Sequence, residues 1–342
     1  MALLLGLLLF SFFVTSALIV PFINLLYQLK FQRLDQFTKD AFGKHTPIFD
    51  KFHAKKVGTP IGGGLLIIMV VSLLFAALFP LIKFLGVFIT EVYSVTQEIN
   101  VIFFTFISFG MLGLYDDIKK LFNGKVGQFG LPLRYKFIIQ WALAFIVATL
   151  LFFNLKIDLI NIPFFGFLHL SWAYIPVAAF VIVAFTNAFN ITDGLDGMAS
   201  GLLMIALFAF WFLSAAILDT PLSVFLALWL GSLIAFLYFN VYPARIFLGD
   251  VGALSFGATL AVVGLLFGKI MALVIVGGIF TVEIFVSLLQ LLSKRFRHKK
   301  LFPVAPLHLW LQHIGWEEPK IVMRAWLAGI ILALFGVWLA VI

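Results

Sequence analysis

Long apolar runs alternate with short polar interruptions along this chain, and the runs exceed what strands or the one-sided helices of a water-soluble fold need. A bilayer core of roughly 30 Å takes about 20 apolar residues as a helix. Runs bounded by charged residues or by Pro and Gly predict ten spans, near 2–28, 61–82, 98–114, 137–155, 171–189, 199–217, 222–240, 252–268, 270–292 and 323–341. The eighth and ninth are divided only by Gly268 and Lys269. In "IDLINIPFFGFLHLSW" (157–172), apolar runs flank Pro163 and Gly166, which predicts a small external β-hairpin. The predicted fold class is an all-α polytopic membrane helix bundle of about ten transmembrane helices, with residues 1–342 forming a single integral membrane domain.

Composition agrees with the pattern. Hydrophobic residues make up 63% of the 342 and charged residues 11%, with a mean hydropathy of +1.16, far from the balance of a soluble domain. The first run has no basic segment before it and no small-residue cleavage site after it, so it is expected to stay as a span. The absence of cysteine excludes disulfides, thiolate catalysis and Cys-ligated metals. A net charge of +8 would suit nucleic acid, but 20 of the 23 Lys and Arg fall in the loops 29–60, 115–136, 241–251 and 293–324. That asymmetry is the positive-inside pattern. It excludes a nucleic-acid partner, places those loops in the cytoplasm and puts both termini outside.

Chemistry is expected at the basic end, because Asp116, Asp117, Asp193, Asp196 and Asp250 all stand within a residue or so of apolar helix ends. Ionisable groups at that depth are costly and usually line a cavity or pair with something. "GLYDDIKK" (113–120) closes the third span with adjacent carboxylates, where the helix dipole disfavours negative charge and invites a cation. Lys119 and Lys120 balancing a solvated helix end is the plainer alternative. In "NAFNITDGLDGMASG" (187–201), Asn187, Asn190, Asp193 and Asp196 step by three around one side of a turn, and Gly194 and Gly197 let backbone approach a ligand. A helix cap alone would not need four such groups. "RIFLGDVGALSFG" (245–257) sets Asp250 between Gly249 and Gly252, as an N-cap or as a third acidic helix end. Several Asp oxygens with no Cys suit Mg²⁺, which takes one or two carboxylates plus waters and phosphate oxygens.

Two further stretches are less decided. "HAKKVGTPIGGG" (53–64) offers His53, Lys55 and Lys56 before a glycine turn, which serves either a phosphate or close helix packing in lipid. "SKRFRHKKLFPVAPLHLWLQHIGWEEPK" (293–320) is a basic loop of the kind that lies against anionic headgroups, and its His308 and His313 have poor spacing for zinc. Glu283, inside the ninth span, needs a partner or a proton.

Taken together, "YDDIKK", "NAFNITDGLDGMASG" and "FLGDVGA" resemble three motifs of the polyprenyl-phosphate N-acetylhexosamine-1-phosphate transferases. "HAKKVGTPIGGG", "RYKFIIQ", "VEIFVSLLQ" and "APLHLWLQHIGWEEPKIVMRAW" are similar to the phospho-N-acetylmuramoyl-pentapeptide transferase branch of that family, in order over nearly the whole chain. The branch usually carries three successive histidines where this chain has His308, Leu309 and Trp310.

The resemblance implies transfer of phospho-MurNAc-pentapeptide from UDP-MurNAc-pentapeptide to undecaprenyl phosphate, releasing UMP and forming lipid I at the cytoplasmic face of a bacterial inner membrane. The lost histidines leave UDP-GlcNAc as the alternative donor, and a secondary transporter is the remote alternative. It also implies a homodimer and a catalytic centre of Asp116, Asp117, Asp250 and His308, with Mg²⁺ on Asp250 and Asp117. Asn187, Asn190, Asp193, Gly194, Leu195 and Asp196 would hold the uridine diphosphate, Phe247 would stack on uracil, and Lys56, Lys136 and Gln290 would complete the pocket. Because the acceptor phosphate is largely dianionic at neutral pH, with a second pKa of ~6, direct attack is expected, Asp116 orienting it or taking its residual proton. A covalent aspartyl-phosphate remains the alternative.

Overall fold

The computed structural model describes residues 1–32, 50, 52, 56–122 and 130–342, without the side chains of 121 and 122. His53 and Lys55 of the basic turn lie outside the described residues. Helices follow the apolar runs: α1 (Ala2–Gln28), α2 (Gly63–Phe84), α3 (Val95–Phe122), α4 (Leu133–Phe153), α5 (Tyr174–Thr192), α6 (Met198–Ala216), α7 (Thr220–Asn240), α8 (Gly249–Leu266), α9 (Ile270–Val276), α10 (Gly278–Phe296), α11 (Leu307–His313) and α12 (Glu318–Val341). Among the described residues nine single helices are long and apolar enough to cross a membrane, and α9 with α10 forms a bent tenth. The protein is a multi-pass membrane helix bundle.

Helix α8 is the axis. Its span is 94% buried inside the protein, against 28% for α1 and α12, whose outer faces are apolar and suited to lipid. An all-round apolar helix needs close neighbours, and small residues provide the approach. Backbone meets backbone where Gly64 of α2 lies against Gly252 of α8. Ser255 donates to the Phe106 carbonyl of α3 at 2.6 Å, and on the other flank Ser11 of α1 donates to the Leu228 carbonyl of α7 at 2.7 Å.

The expected straight span over 270–292 is instead broken, with α9 and α10 meeting at 85° across Gly277. Two successive glycines propagate a helix poorly. The Thr281 hydroxyl satisfies the junction by pointing at the Val274 and Gly277 carbonyls, 3.2 and 3.1 Å away. Apolar periodicity carries no sign of such a bend, since both halves stay hydrophobic.

The hairpin forms where expected, β1 (Leu159–Ile162) pairing antiparallel with β2 (Gly166–His169) in the register Leu159 to His169. Nearby, at the same end of the bundle, Asp219 caps α7 by accepting from the Leu222 amide at 3.3 Å, next to the fully buried Glu98 of α3. Burial pushes the Asp219 carboxyl above the usual carboxylate range, against the lowering effect of the Leu222 amide and Glu98.

Candidate active site

Chain direction alternates through the bundle, so the ends of α1, α3, α5, α7 and α10 meet the starts of α2, α4, α6, α8 and α12. Contacts across those ends build one cavity of about 330 Å³. Helix α3 does not stop near residue 114 but continues to Phe122, so Asp116 and Asp117 stand inside its last turns rather than at its C-terminus. They are 2% and 1% exposed. Asp250 is in the first turn of α8, whose N-cap is Leu248, so Asp250 is not a cap.

Three carboxylates from two helices therefore face each other, and two lysines hold them. Lys120 lies 3.0, 3.8 and 2.7 Å from Asp116 Oδ2, Asp117 Oδ1 and Asp250 Oδ2. It reaches the first two because it is four and three residues along the same helix. Lys136 of α4 is 3.0 Å from Asp116 Oδ2 and also pairs with Asp250. The roles of the two aspartates differ. Asp116 does not line the cavity; its Oδ1 accepts from the Leu131 amide at 2.5 Å and its Oδ2 faces both lysines. Asp117 and Asp250 do line it. Asp117 Oδ2 accepts from the Val251 amide at 3.1 Å, which ties α3 to the start of α8.

Two glycine turns set this geometry. The backbone at Pro60 to Gly64 runs along Phe247 and Leu248: the Phe247 amide donates to Pro60 at 2.9 Å, and the Gly63 and Gly64 amides donate to Phe247 and Leu248 at 2.8 and 3.0 Å. The "GTPIGGG" and "RIFLGD" motifs are thus one paired structure, which presents Phe247 to the cavity. Gly249 has φ +74°, and a Cβ there would stand 2.6 Å from Asp117 Oδ2. Only glycine allows that turn beside that carboxylate.

The opposite wall comes from the end of α5 and the turn into α6. Asn190, Asp193, Gly194, Leu195 and Asp196 line the cavity as expected. Asp193 is the C-cap of α5 and Gly197, at φ +76°, is the N-cap of α6, so neither aspartate caps the sixth span. Asp196 accepts from the Ala244 amide at 2.9 Å and pairs with Lys56 at 2.6 Å. Lys56 is also 2.6 Å from Glu318, whose carboxylate accepts from the Asp196 amide at the same distance. His308, 1% exposed at the start of α11, closes the wall against Gly194, where a Cβ would fall 2.6 Å from its Nε2.

Three expected pocket residues stand behind the wall. Asn187 donates to Gln140 of α4 at 2.9 Å and to the Val183 carbonyl at 2.8 Å, binding helix to helix. Gln290 spends its amide on the backbone of Leu301 and Phe302. Lys136 is spent on the carboxylates. Conversely, Glu318, Asn240 and the Leu131 amide belong to the site without having been singled out. Asn240 lines the cavity while donating to the Ile246 carbonyl at 2.9 Å. Leu309 and Trp310 do not line it: Leu309 is buried, and Trp310 packs on Phe302 with ring centres 5.8 Å apart. A larger groove of about 760 Å³ between α2 and α3 is lined by apolar residues with Ser72, Asn100 and Ser108 and includes no titratable group.

A family model described as glycosyl transferase family 4 matches residues 99–268, a stretch holding Asp116, Asp117, Asp193, Asp196 and Asp250. The phospho-N-acetylmuramoyl-pentapeptide-transferase of Thermodesulfovibrio yellowstonii is 36% identical, covering 95% of this chain and 89% of its own length. Those of Bacillus pumilus and Bacillus subtilis are 32% and 33% identical, covering 96% and 85% of this chain and 95% and 86% of their own. These likenesses extend through Lys56, His308 and Glu318 at least in the longest matches, beyond the family model. The chain is an enzyme belonging to the phospho-N-acetylmuramoyl-pentapeptide transferases of glycosyl transferase family 4.

Proposed function

We propose that the chain transfers phospho-MurNAc-pentapeptide from UDP-MurNAc-pentapeptide to undecaprenyl phosphate, releasing UMP and forming lipid I. The observation that carries this reading is the convergence of Asp117, Asp250, Asn190, Asp193 and His308 on one cavity at the basic end of a membrane bundle. The positive-inside asymmetry supports the cytoplasmic face of a bacterial inner membrane, where a cytosolic nucleotide meets a lipid phosphate. A cavity of about 330 Å³ is at the small end of ligand sites. It suits the reacting diphosphate, with the pentapeptide outside.

The donor set fits Mg²⁺. Three carboxylates against two ammonium groups leave a net negative centre that two anionic reactants cannot enter unaided. Among the described residues no three His, Asp or Glu side chains form a ready-made cage. Mg²⁺ needs none, since it takes one or two carboxylates and completes its shell with water and phosphate oxygens. Asp117 and Asp250, the two of these three carboxylates that line the cavity, would hold it. Bound there, the ion would supply charge neutralisation to the diphosphate and the departing UMP.

The protein's own residues would do the positioning on which phosphoryl transfer mainly depends. An oxygen of the acceptor phosphate attacks the sugar-bearing phosphorus; that P–O bond forms as the bond to UMP breaks, and UMP departs with the electron pair. The acceptor is largely dianionic, so a general base contributes little. Asp116, whose oxygens are held by Leu131, Lys120 and Lys136, stands outside the cavity and is not placed to take a residual proton. Asp116 instead would fix Lys120 and Lys136. His308 and Lys56 would face the anionic donor. Leu309 and Trp310, which stand where the branch carries two further histidines, lie outside the cavity wall, so the lining itself does not argue against the muramyl donor.

The test is UMP release by purified protein given undecaprenyl phosphate and each donor in turn. Release from UDP-MurNAc-pentapeptide is expected; release from UDP-GlcNAc alone would overturn the donor assignment.

A further inference from the structure

Glu283 lies on α10, well inside the bundle, is 1% exposed, and takes no part in the proposed chemistry. A carboxylate so placed has lost its hydration and must recover it from the protein. Its Oε2 accepts from the Leu307 amide at 2.9 Å and its Oε1 from the His308 amide at 3.1 Å. These are the first two amides of α11, which a short helix leaves without internal partners. The His308 imidazole follows, with Nδ1 3.2 Å from Glu283 Oε2.

Two more side chains continue the pattern. Gln290 and Ser293 are seven and ten residues beyond Glu283, hence on the same face of α10. Gln290 Oε1 accepts from the Leu301 and Phe302 amides, each at 2.9 Å, and its Nε2 donates to the Phe302 carbonyl at 2.9 Å. The Ser293 hydroxyl donates to the Lys299 carbonyl at 2.9 Å. Residues 298–306 have no regular secondary structure, so this ladder supplies backbone partners along the segment that ends at His308.

We propose that Glu283, backed by Gln290 and Ser293, is the positioning residue for His308: it clamps the first amides of α11 so that the imidazole projects into the cavity against Gly194. The reading rests on the proposed transferase site. It assigns Gln290 to the same clamp rather than to substrate contact. The two amides must both be met. Glutamine at 283 would satisfy one and present its own N–H to the other, whereas alanine would leave both unmet and free the loop.

The test combines turnover with amide exchange, using E283A, E283Q and H308A in detergent. A group displaced by about 1 Å loses on the order of 100-fold in rate. We therefore expect kcat to fall ~100-fold in E283A and ~10-fold in E283Q. In the H308A background E283A should cost less than ~3-fold, because residues acting through one another are not additive. Exchange at the Leu307 and His308 amides should speed at least ~10-fold in E283A, with α8 and α12 unchanged. Equal costs of E283A with and without His308, or unaltered exchange at 307 and 308, would overturn the proposal. If H308A gives no measurable turnover, exchange in the isosteric E283Q decides. Failure of the donor assignment would appear as absent UMP release from wild type and would leave the exchange result standing.

Discussion

Gly249→Ala perturbs the site without removing any functional group. At φ +74° an L residue costs about 1–2 kcal/mol. In addition, the new Cβ would stand 2.6 Å from Asp117 Oδ2 and 3.0 Å from the Gly62 amide nitrogen, where ordinary contact begins near 3.4 Å. The carboxylate must retreat by about 0.8 Å, which stretches its 3.1 Å bond from Val251 and moves it relative to Asp250. A displacement near 1 Å costs on the order of 100-fold, or about 2.7 kcal/mol of barrier. Gly86→Ala is the matched control, since Gly86 has φ +76° with nothing within 4 Å of its Cβ position. Both variants should stay folded, with Gly249→Ala losing more unfolding temperature than Gly86→Ala because the contact with Asp117 and Gly62 adds to the shared backbone cost, as read by near-ultraviolet fluorescence in detergent. Only Gly249→Ala should lose about 100-fold in kcat for UMP release. Wild-type turnover in Gly249→Ala, or an equal loss in Gly86→Ala, would refute the displacement of Asp117 as the cause.

Three further outcomes are expected. Asp117→Asn and Asp250→Asn should each fold in detergent yet lose about 10³-fold in UMP release; excess chelator should do the same to wild type, with magnesium restoring it. Glu318→Ala removes the acceptor of the Asp196 amide and one partner of Lys56, so the KM for the nucleotide should rise roughly 10-fold with a smaller change in kcat, read from initial rates. Burial holds the Asp219 carboxyl above its unfolded value, so its contribution is full below pH ~4 and is lost as pH rises through the folded value. Asp219→Asn, which keeps an oxygen for the Leu222 amide, should weaken the fall of unfolding temperature as pH rises above ~4 and be at least as stable as wild type once the wild-type carboxyl has ionised.

What the sequence discloses and withholds follows the range of the interactions. Spans and hairpin are local patterns of apolarity, and α1 begins and ends where its apolar run does. The acidic cluster is legible because five aspartates beside lipid-length helices need an explanation wherever the chain goes. The bend at Gly277 is not legible, as Gly277 and Gly278 look like any small-residue packing until the partner helices are known. Partner choice is hidden for the same reason. Asn187 is in step with Asn190 and Asp193, but Gln140 lies 47 positions away and takes its amide. Glu283 announces that it needs a partner; that the partner is the backbone of α11, 24 residues on, emerges only in three dimensions. Lys120 is legible as a partner of Asp116 and Asp117, as in the balanced-helix-end alternative, but the helix end is buried rather than solvated because α3 continues to Phe122.

The most direct measurement follows radiolabelled muramyl-pentapeptide nucleotide into the lipid phase. With wild-type protein, undecaprenyl phosphate and magnesium, label should move into butanol in step with UMP release, and should stay in water with Asp117→Asn or Asp250→Asn. Label remaining aqueous with wild type, or reaching butanol equally with both variants, would contradict a cavity built on those two carboxylates as the place of transfer.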